Sequence, residues 1–241
     1  MKETTGTKLI SEVNHMKIIG ITGKIGAGKS KLLERVSSKE GTAFAIADEV
    51  SHELIKKDNV GYNKLLEVFG DEILDSSGEI DKKLLSDIIF SDDKKRIVVN
   101  SILHPAVKNE IIDDMSVKEK EGYKCYFVES AILMEAHFDV FCDEIWYVYA
   151  DRDFRKERVT ANRNISPEKF DIIDGCQRDY EMIKGEYMEL EVPFGVDLLD
   201  DTEEVHLYKG KPMWIKFDNS KDLLLKDEFD PIMEAVIESR L

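Results

Sequence analysis

The segment GITGKIGAGKS, residues 20–30, has the composition of a loop that binds phosphate groups. Gly23, four further residues and then Gly28-Lys29-Ser30 fit the pattern GxxxxGK(S/T). Glycines let backbone N–H groups turn inward around phosphate oxygens, and the following helix directs its positive end at the same anion. Lys29 would reach the β- and γ-phosphates of ATP, and the Ser30 hydroxyl would bind Mg²⁺. The predicted nucleotide contacts are Gly23, Lys24, Ile25, Gly26, Ala27, Gly28, Lys29 and Ser30.

Two acidic residues follow apolar, strand-like segments and are candidates for proton transfer and metal binding. The carboxylate of Asp48, after TAFAIA, could accept the proton of an acceptor hydroxyl or orient that hydroxyl for attack. The alternative for Asp48 is the N-cap of the next helix. Glu129, after YKCYFV, holds a position from which P-loop proteins commonly contact Mg²⁺, the alternative being an exposed turn residue. We predict Asp48 and Lys29 as catalytic, and Ser30 and Glu129 as metal-binding.

One segment is net basic although the chain as a whole is acidic. DRDFRKERVTANR, residues 151–163, has five basic and three acidic residues in a chain of net charge −16. Three of its arginines, Arg155, Arg158 and Arg163, could form a lid over the phosphates. A planar guanidinium group suits this role because the negative charge of a phosphoryl group in transfer is spread over several oxygens. A solvated helix face with i,i+4 ion pairs is the alternative.

Four of the five histidines, at positions 52, 104, 137 and 206, do not have the spacing of a metal site. His104 precedes Pro105, and a residue before proline is pushed towards extended backbone. We therefore expect this pair to break a helical run and to project His104 into a cleft, unless His104 is only structural.

Strand-like and helical segments alternate along the chain, which indicates an α/β fold with a parallel sheet flanked by helices. Ligands bind such a sheet beyond the carboxyl ends of its strands. The predicted strands are residues 17–22, 42–47, 123–128, 144–150 and 212–217. The predicted helical segments are residues 29–38, the stretch from 49 to about 121, and a helix that Ser166 caps. Residues 191–211 are acidic and irregular, as expected of a surface excursion.

Composition narrows the classes of function. A net charge of −16 argues against broad nucleic-acid binding, and no apolar run approaches the ~18 residues of a membrane span. Three cysteines without a CxxC pair are expected to be packing residues in a reducing cytoplasm. Residues 1–15 are polar and lack a secretory core, so we expect a disordered leader before a single domain over residues 16–241.

The motifs together resemble the dephospho-coenzyme A kinase family over about residues 17–180. The similar segments are ITGKIGAGKS, IADEVSHELI, FGDEIL with SSGEIDKKLLSDIIF, VNSILHPAV, ESAILMEA, the arginine segment and CQRD. The resemblance implies a P-loop kinase with a helical acceptor-binding insert at about 49–121 and a lid at about 151–187. It implies ATP- and Mg²⁺-dependent phosphorylation of the ribose 3′-hydroxyl of dephospho-CoA, with Asp48 as base. It assigns Arg158 to ATP and His52, His104, Glu135 and Gln177 to the acceptor side.

The sequence departs from the family pattern at several positions. The family usually has aspartates at both ends of a D-x-D segment, whereas Ile46 stands at the first of these positions here. Lys31, Ala131, Asn162 and Ile173 also replace residues that the family usually has, and beyond about residue 185 only FDNS, residues 217–220, resembles the family. A (deoxy)nucleoside monophosphate kinase and a non-catalytic nucleotide-binding protein are the alternative functions.

Overall fold

A parallel sheet forms the centre of the molecule. The computed structural model describes residues 15–163, 165–179, 188–191 and 213–220. Within these ranges the strands are β1 (Lys17–Thr22), β2 (Thr42–Ile46), β3 (Cys125–Glu129), β4 (Glu144–Tyr149), β5 (Met188–Glu191) and β6 (Met213–Asp218). They lie in the order β2-β3-β1-β4-β6-β5, and every pair of neighbours is parallel. The predicted α/β fold class is confirmed.

Helices pack on the sheet, and four of them form an insert with its own apolar core. They are α1 (Lys29–Ser37), α2 (Ala47–Leu54), α3 (Val60–Phe69), α4 (Lys82–Ser91), α5 (Asp93–Lys120), α6 (Arg152–Asn162) and α7 (Pro167–Cys176), with single 3₁₀ turns at Gly70–Ile73 and Asp139–Phe141. The helices α2 to α5 make up the predicted insert, which has its own apolar core around Tyr62, Leu65 and Leu103.

The central strands are mostly apolar because both faces of the sheet are covered. All five residues of β3 are buried. Phe127 packs on one face with Leu32 and Leu33 of α1, whereas Tyr126 and Val128 pack on the other face with residues of α5. This alternation is the two-residue period of a strand, and Glu129 is the last residue of β3.

The helix α5 contradicts the prediction that His104-Pro105 breaks the helical run. It is continuous over 28 residues with Pro105 inside it. An internal proline removes one backbone hydrogen bond and costs ~3 kcal/mol or more. Five buried side chains at intervals of four, on both sides of the proline, hold the helix against the rest of the protein and offset that cost: Val99, Leu103, Val107, Ile111 and Met115.

The structure differs from the sequence predictions at one strand and at one cysteine. The short strand β5 was not predicted, because MELE has too few apolar residues to stand out. Cys176 is exposed, unlike the buried Cys125 and Cys142, so the expectation that all three are packing residues is wrong for Cys176.

Three predicted segments lie wholly or partly outside the described residues. These parts are residues 1–14 of the leader, 180–187 of the lid and 192–211 of the surface excursion. In the ranges that are described, no helix is long and apolar enough to cross a membrane.

Candidate active site

The loop after β1 requires glycine for steric reasons that the structure makes explicit. Gly23 has φ +137°, and a Cβ atom there would lie 2.2 Å from the carbonyl oxygen of Val148 in β4. Gly26 has φ +79°, and a Cβ atom would lie 2.7 Å from a methyl group of Val159 in α6. The loop is therefore held tightly between the sheet and α6.

Lys29 begins α1 and lies across the mouth of this loop. Its Nζ donates to the carbonyl oxygen of Gly23 at 2.9 Å and lies 3.7 Å from Oε1 of Glu129. The lysine side chain is only 11% exposed. Burial lowers the pKa of Lys29, although the carboxylates of Glu129 and Asp48 oppose that shift. Burial likewise raises the pKa of Glu129, against the charge of Lys29. An anion entering the loop would thus meet a partly desolvated ammonium group.

Asp48 lies in the same site, but it belongs to a helix and does not directly follow the strand as the sequence predicts. It is the second residue of α2 and is exposed, whereas Ile46 holds the N-cap position without a side-chain cap. The alternative that Asp48 is the N-cap is therefore wrong. Its negative charge raises the pKa of both Lys29 and Glu129, so the three groups interact at the carboxyl ends of β1, β2 and β3. Ser30, next to Lys29 in the first turn of α1, is exposed.

The helices α6 and α7 support the loop through two of the predicted residues. Arg158 donates from Nη1 to the carbonyl oxygen of Gly26 at 2.8 Å. Gln177, directly after α7, accepts the N–H of Ile25 at 2.8 Å with its side-chain oxygen. Among the described atoms, both side chains contact the backbone of the phosphate loop.

Arg155 differs from both descriptions that the sequence suggested, a lid arginine and a solvated helix face. It is buried and donates to the carbonyl oxygens of Ala150 and Ile25 at 2.9 and 3.1 Å. It also donates to Oδ1 of Asp174 in α7 at 2.6 Å. Lys24 completes the network at 3.2 Å from the other oxygen of Asp174. Sequence reasoning missed Asp174, whose signal was its position four residues after the buried Phe170.

Arg163 carries a positive charge that acts on both Lys29 and Glu129. It follows α6 and is exposed. Its positive charge contributes to lowering the pKa of both Lys29 and Glu129 relative to their values without it. The position is suited to stabilising negative charge that develops on a phosphoryl group.

His52 and a neighbouring cavity lie on the insert side of the site. His52 is exposed one helical turn after Asp48, so the two residues share a face of α2. The cavity has a volume of about 420 Å³, and its lining includes His52, Lys56, Asp81 and Lys82. An acceptor with one end at Asp48 could extend along α2 into this cavity.

His104 and Glu135 lie near the loop that follows β3. His104 is half-buried in α5; burial lowers its pKa, and the nearby His137 adds to that effect. Oε1 of Glu135 accepts the backbone N–H of Arg178 at 3.0 Å. Oε2 of Glu135 is buried and has no hydrogen-bond partner among the described residues. A buried carboxylate oxygen without a donor has a free-energy cost that a bound hydroxyl or amine would remove.

The donor set at the loop fits a magnesium ion bound mainly by phosphate. No group of three or more His, Cys, Asp or Glu side chains is arranged for metal binding in the described ranges. Mg²⁺ in kinases commonly uses one or two protein oxygens together with substrate phosphates and water. The hydroxyl of Ser30, the residue after Lys29, and the carboxylate of Glu129, which lies 3.7 Å from the Nζ of Lys29, could provide such oxygens.

A parallel sheet, a glycine loop leading into a helix, and a lysine beside two carboxylates define a P-loop phosphotransferase. A sequence model of the dephospho-CoA kinase family matches residues 17–182. The dephospho-CoA kinase of Staphylococcus aureus is 33% identical over 152 residues, 63% of this chain and 72% of that protein. The enzyme of Prochlorococcus marinus is 33% identical over 160 residues, 65% and 77% of the two chains. The chain therefore belongs to the dephospho-CoA kinase family.

Solved structures agree with this fold. A protein of Thermus thermophilus gives a TM-score of 0.68 at 20% identity, covering 94% of this chain and 99% of that one. Dephospho-CoA kinase from Campylobacter jejuni gives 0.56 at 18% identity, covering 94% and 100%. The resemblance predicted from the sequence is confirmed, and with it the activity of the family, which is ATP-dependent phosphorylation of dephospho-CoA to coenzyme A.

Proposed function

We propose that this chain transfers the γ-phosphoryl group of ATP–Mg²⁺ to the ribose 3′-hydroxyl of dephospho-CoA, with Asp48 as the general base. The observation that carries the proposal is the grouping of Lys29, Glu129 and Asp48 beside the phosphate loop. One cation for the phosphates, one carboxylate for a metal and one exposed carboxylate for a hydroxyl are what an alcohol kinase needs.

The nucleotide side of the reaction rests on the loop. Lys29 would leave the carbonyl oxygen of Gly23 and bind the β- and γ-phosphates, and Ser30 and Glu129 would hold Mg²⁺ directly or through water. The metal neutralises charge on the phosphates when it is bound. Arg163 adds a second positive charge from the end of α6. Catalysis then comes chiefly from positioning and from charge neutralisation.

The acceptor side rests on α2 and the loop after β3. Asp48 would orient the ribose 3′-hydroxyl and take its proton as the new O–P bond forms. The unpaired Oε2 of Glu135 would accept a hydrogen bond from the adenosine part of the acceptor. His52 and the cavity beside it would receive a more distant part of the same molecule. His104, which is half-buried near His137, would shape this side of the site.

A panel of acceptors tests the proposal. ADP release is measured with ATP and Mg²⁺ against dephospho-CoA, AMP and each deoxynucleoside monophosphate, for the wild-type protein and for Asp48→Asn. We expect turnover with dephospho-CoA alone, and a loss of ~10²–10⁴-fold in Asp48→Asn, which keeps the shape of the side chain but removes the proton acceptor.

The outcomes separate the parts of the proposal. Turnover of a monophosphate in place of dephospho-CoA would make the acceptor wrong. Full activity of Asp48→Asn on dephospho-CoA would leave the acceptor intact and remove Asp48 as the base. Thermal melts of both proteins show whether the substitution changes folding, and we expect no difference because Asp48 is exposed.

A further inference from the structure

The carbonyl groups on the outer side of the phosphate loop are held by three side chains from distant parts of the sequence. The carbonyl oxygens of Ile25, Gly26 and Ala27 are consecutive along the chain. Each accepts a hydrogen bond from a different side chain, and the three donors are Arg155 at 3.1 Å, Arg158 at 2.8 Å and Asn219 at 2.8 Å. The first two donors belong to α6, whereas Asn219 follows β6 within FDNS.

Asn219 lies directly after the carboxyl end of β6 and is buried there. It is 2% exposed, and its backbone N–H donates to the carbonyl oxygen of Tyr149 at 2.7 Å. The next residue, Ser220, accepts the N–H of Asp151 at 3.0 Å. The segment is thus fixed against the end of β4, so the amide of Asn219 is presented to Ala27 by a rigid support.

The direction of the peptide between Ala27 and Gly28 decides whether the loop can bind phosphate. The peptide is trans, so its N–H points opposite to its carbonyl group. Holding the carbonyl oxygen of Ala27 outward therefore turns the N–H of Gly28 inward. Gly28 has φ +113°, and glycine populates positive and negative φ about equally. Glycine itself therefore sets little preference for the direction of this peptide.

We infer that Asn219 is a positioning residue that orients the Ala27–Gly28 peptide for binding the triphosphate of the nucleotide. Its contact is with the loop backbone, so it acts on phosphate affinity through Ala27. The inference takes from the proposed function only that the nucleotide is a triphosphate, and it is independent of the acceptor.

Calorimetric titration without acceptor tests this inference, using ATP and inorganic tripolyphosphate, each with Mg²⁺. We expect Asn219→Ala to weaken both ligands by at least about tenfold and by similar factors, since the contact serves the phosphates and not the base. In turnover assays KM for ATP should rise by a similar factor, while KM for dephospho-CoA stays within about threefold. Ser220→Ala is the matched control, because it removes a side-chain hydrogen bond of the same segment that does not reach the loop.

Three results would overturn the inference. Weaker binding of ATP with unchanged binding of tripolyphosphate would mean that Asn219 serves the nucleoside. Equal losses in Asn219→Ala and Ser220→Ala would mean that the segment acts only as general support. Unchanged affinity in Asn219→Ala would mean that the hydrogen bond does not orient the loop.

If Asn219→Ala does not fold, Asn219→Leu takes its place, since it keeps a similar side-chain size, introduces no buried charge and cannot donate a hydrogen bond to the carbonyl oxygen of Ala27. We expect Asn219→Leu to weaken both ligands by at least about tenfold, as Asn219→Ala does, and unchanged affinity in it would equally contradict the inference. Because no acceptor is present in the titration, a wrong acceptor in the proposed function leaves these results unaffected.

Discussion

Replacing Asp174 by asparagine should destabilise the protein and loosen the phosphate loop. Asp174 is 9% exposed at its side chain and pairs with three cations, Arg155 at 2.6 Å, Lys24 at 3.2 Å and Arg152 at 3.5 Å. Removing one partner of a buried ion pair costs ~3–5 kcal/mol. Asparagine keeps an oxygen for Arg155 but leaves Lys24 without its carboxylate. We therefore expect the free energy of unfolding at pH 7 to fall by about 3 kcal/mol, the lower end of that range.

The pKa of Asp174 determines how the difference in stability between wild type and Asp174→Asn changes with pH. Burial alone would raise the pKa of Asp174, but the hydrogen bond and charge of Arg155, together with Lys24, hold the pKa below its usual 3.8. A carboxylate with a depressed pKa stabilises the folded state above the unfolded pKa, and that contribution is lost as pH falls through the folded pKa. The difference in stability between wild type and Asp174→Asn should thus be constant above about pH 5 and shrink below pH 3.8.

Urea unfolding at a series of pH values measures the difference, and Asp171→Asn is the matched control. Asp171 lies on the same helix and pairs with Lys156 and with Arg152, which also contacts Asp174, but the side chain of Asp171 is 44% exposed. Solvent screens such pairs, so its replacement should cost much less than that of Asp174. Equal losses in the two variants would refute the reasoning, as would a difference for Asp174→Asn that does not change with pH.

Two further predictions concern the loop and the insert. Lys29→Ala should lower turnover by at least ~10²-fold, because it removes a preorganised charge from the phosphates; near wild-type turnover in a steady-state assay would rule out the phosphate-loop assignment. His104 has a pKa depressed below 6.5 by burial, so protonation opposes folding and stability should decrease as pH falls below 6.5. His104→Gln should flatten that part of a curve of melting temperature against pH, and an unchanged slope would show that His104 is not the titrating group.

The phosphate loop could be predicted because its chemistry is contiguous. Gly23, Gly28, Lys29 and Ser30 lie within eight residues, and the strand and helix that present them are recognisable from their apolar spacing. The side chains that hold the loop from outside could not be predicted in the same way. Arg155 and Asn219 are of residue types that are usually exposed, and only the fold brings them within hydrogen-bond distance of the loop backbone.

The errors in the prediction arise where packing outweighs local preference. His104-Pro105 has the local signature of a helix end, but buried side chains on both sides of the proline keep α5 continuous. At Arg155, the sequence suggested a side chain that contacts either phosphate or water. Burial against Phe170 and pairing with Asp174 give it a structural role that a one-dimensional pattern of charges does not contain.

The replacement of aspartate by Ile46 bears directly on the role of Asp48. The family usually carries two aspartates in this segment, and only the second is present here. Ile46 packs against the apolar cluster on the α1 side of the sheet, whereas Asp48 is exposed in the first turn of α2. A carboxylate at position 46 would therefore carry a desolvation cost that one at position 48 does not. Because Glu129 is paired with Lys29, our proposal assigns the proton of the acceptor hydroxyl to Asp48, the remaining carboxylate of the three-residue group.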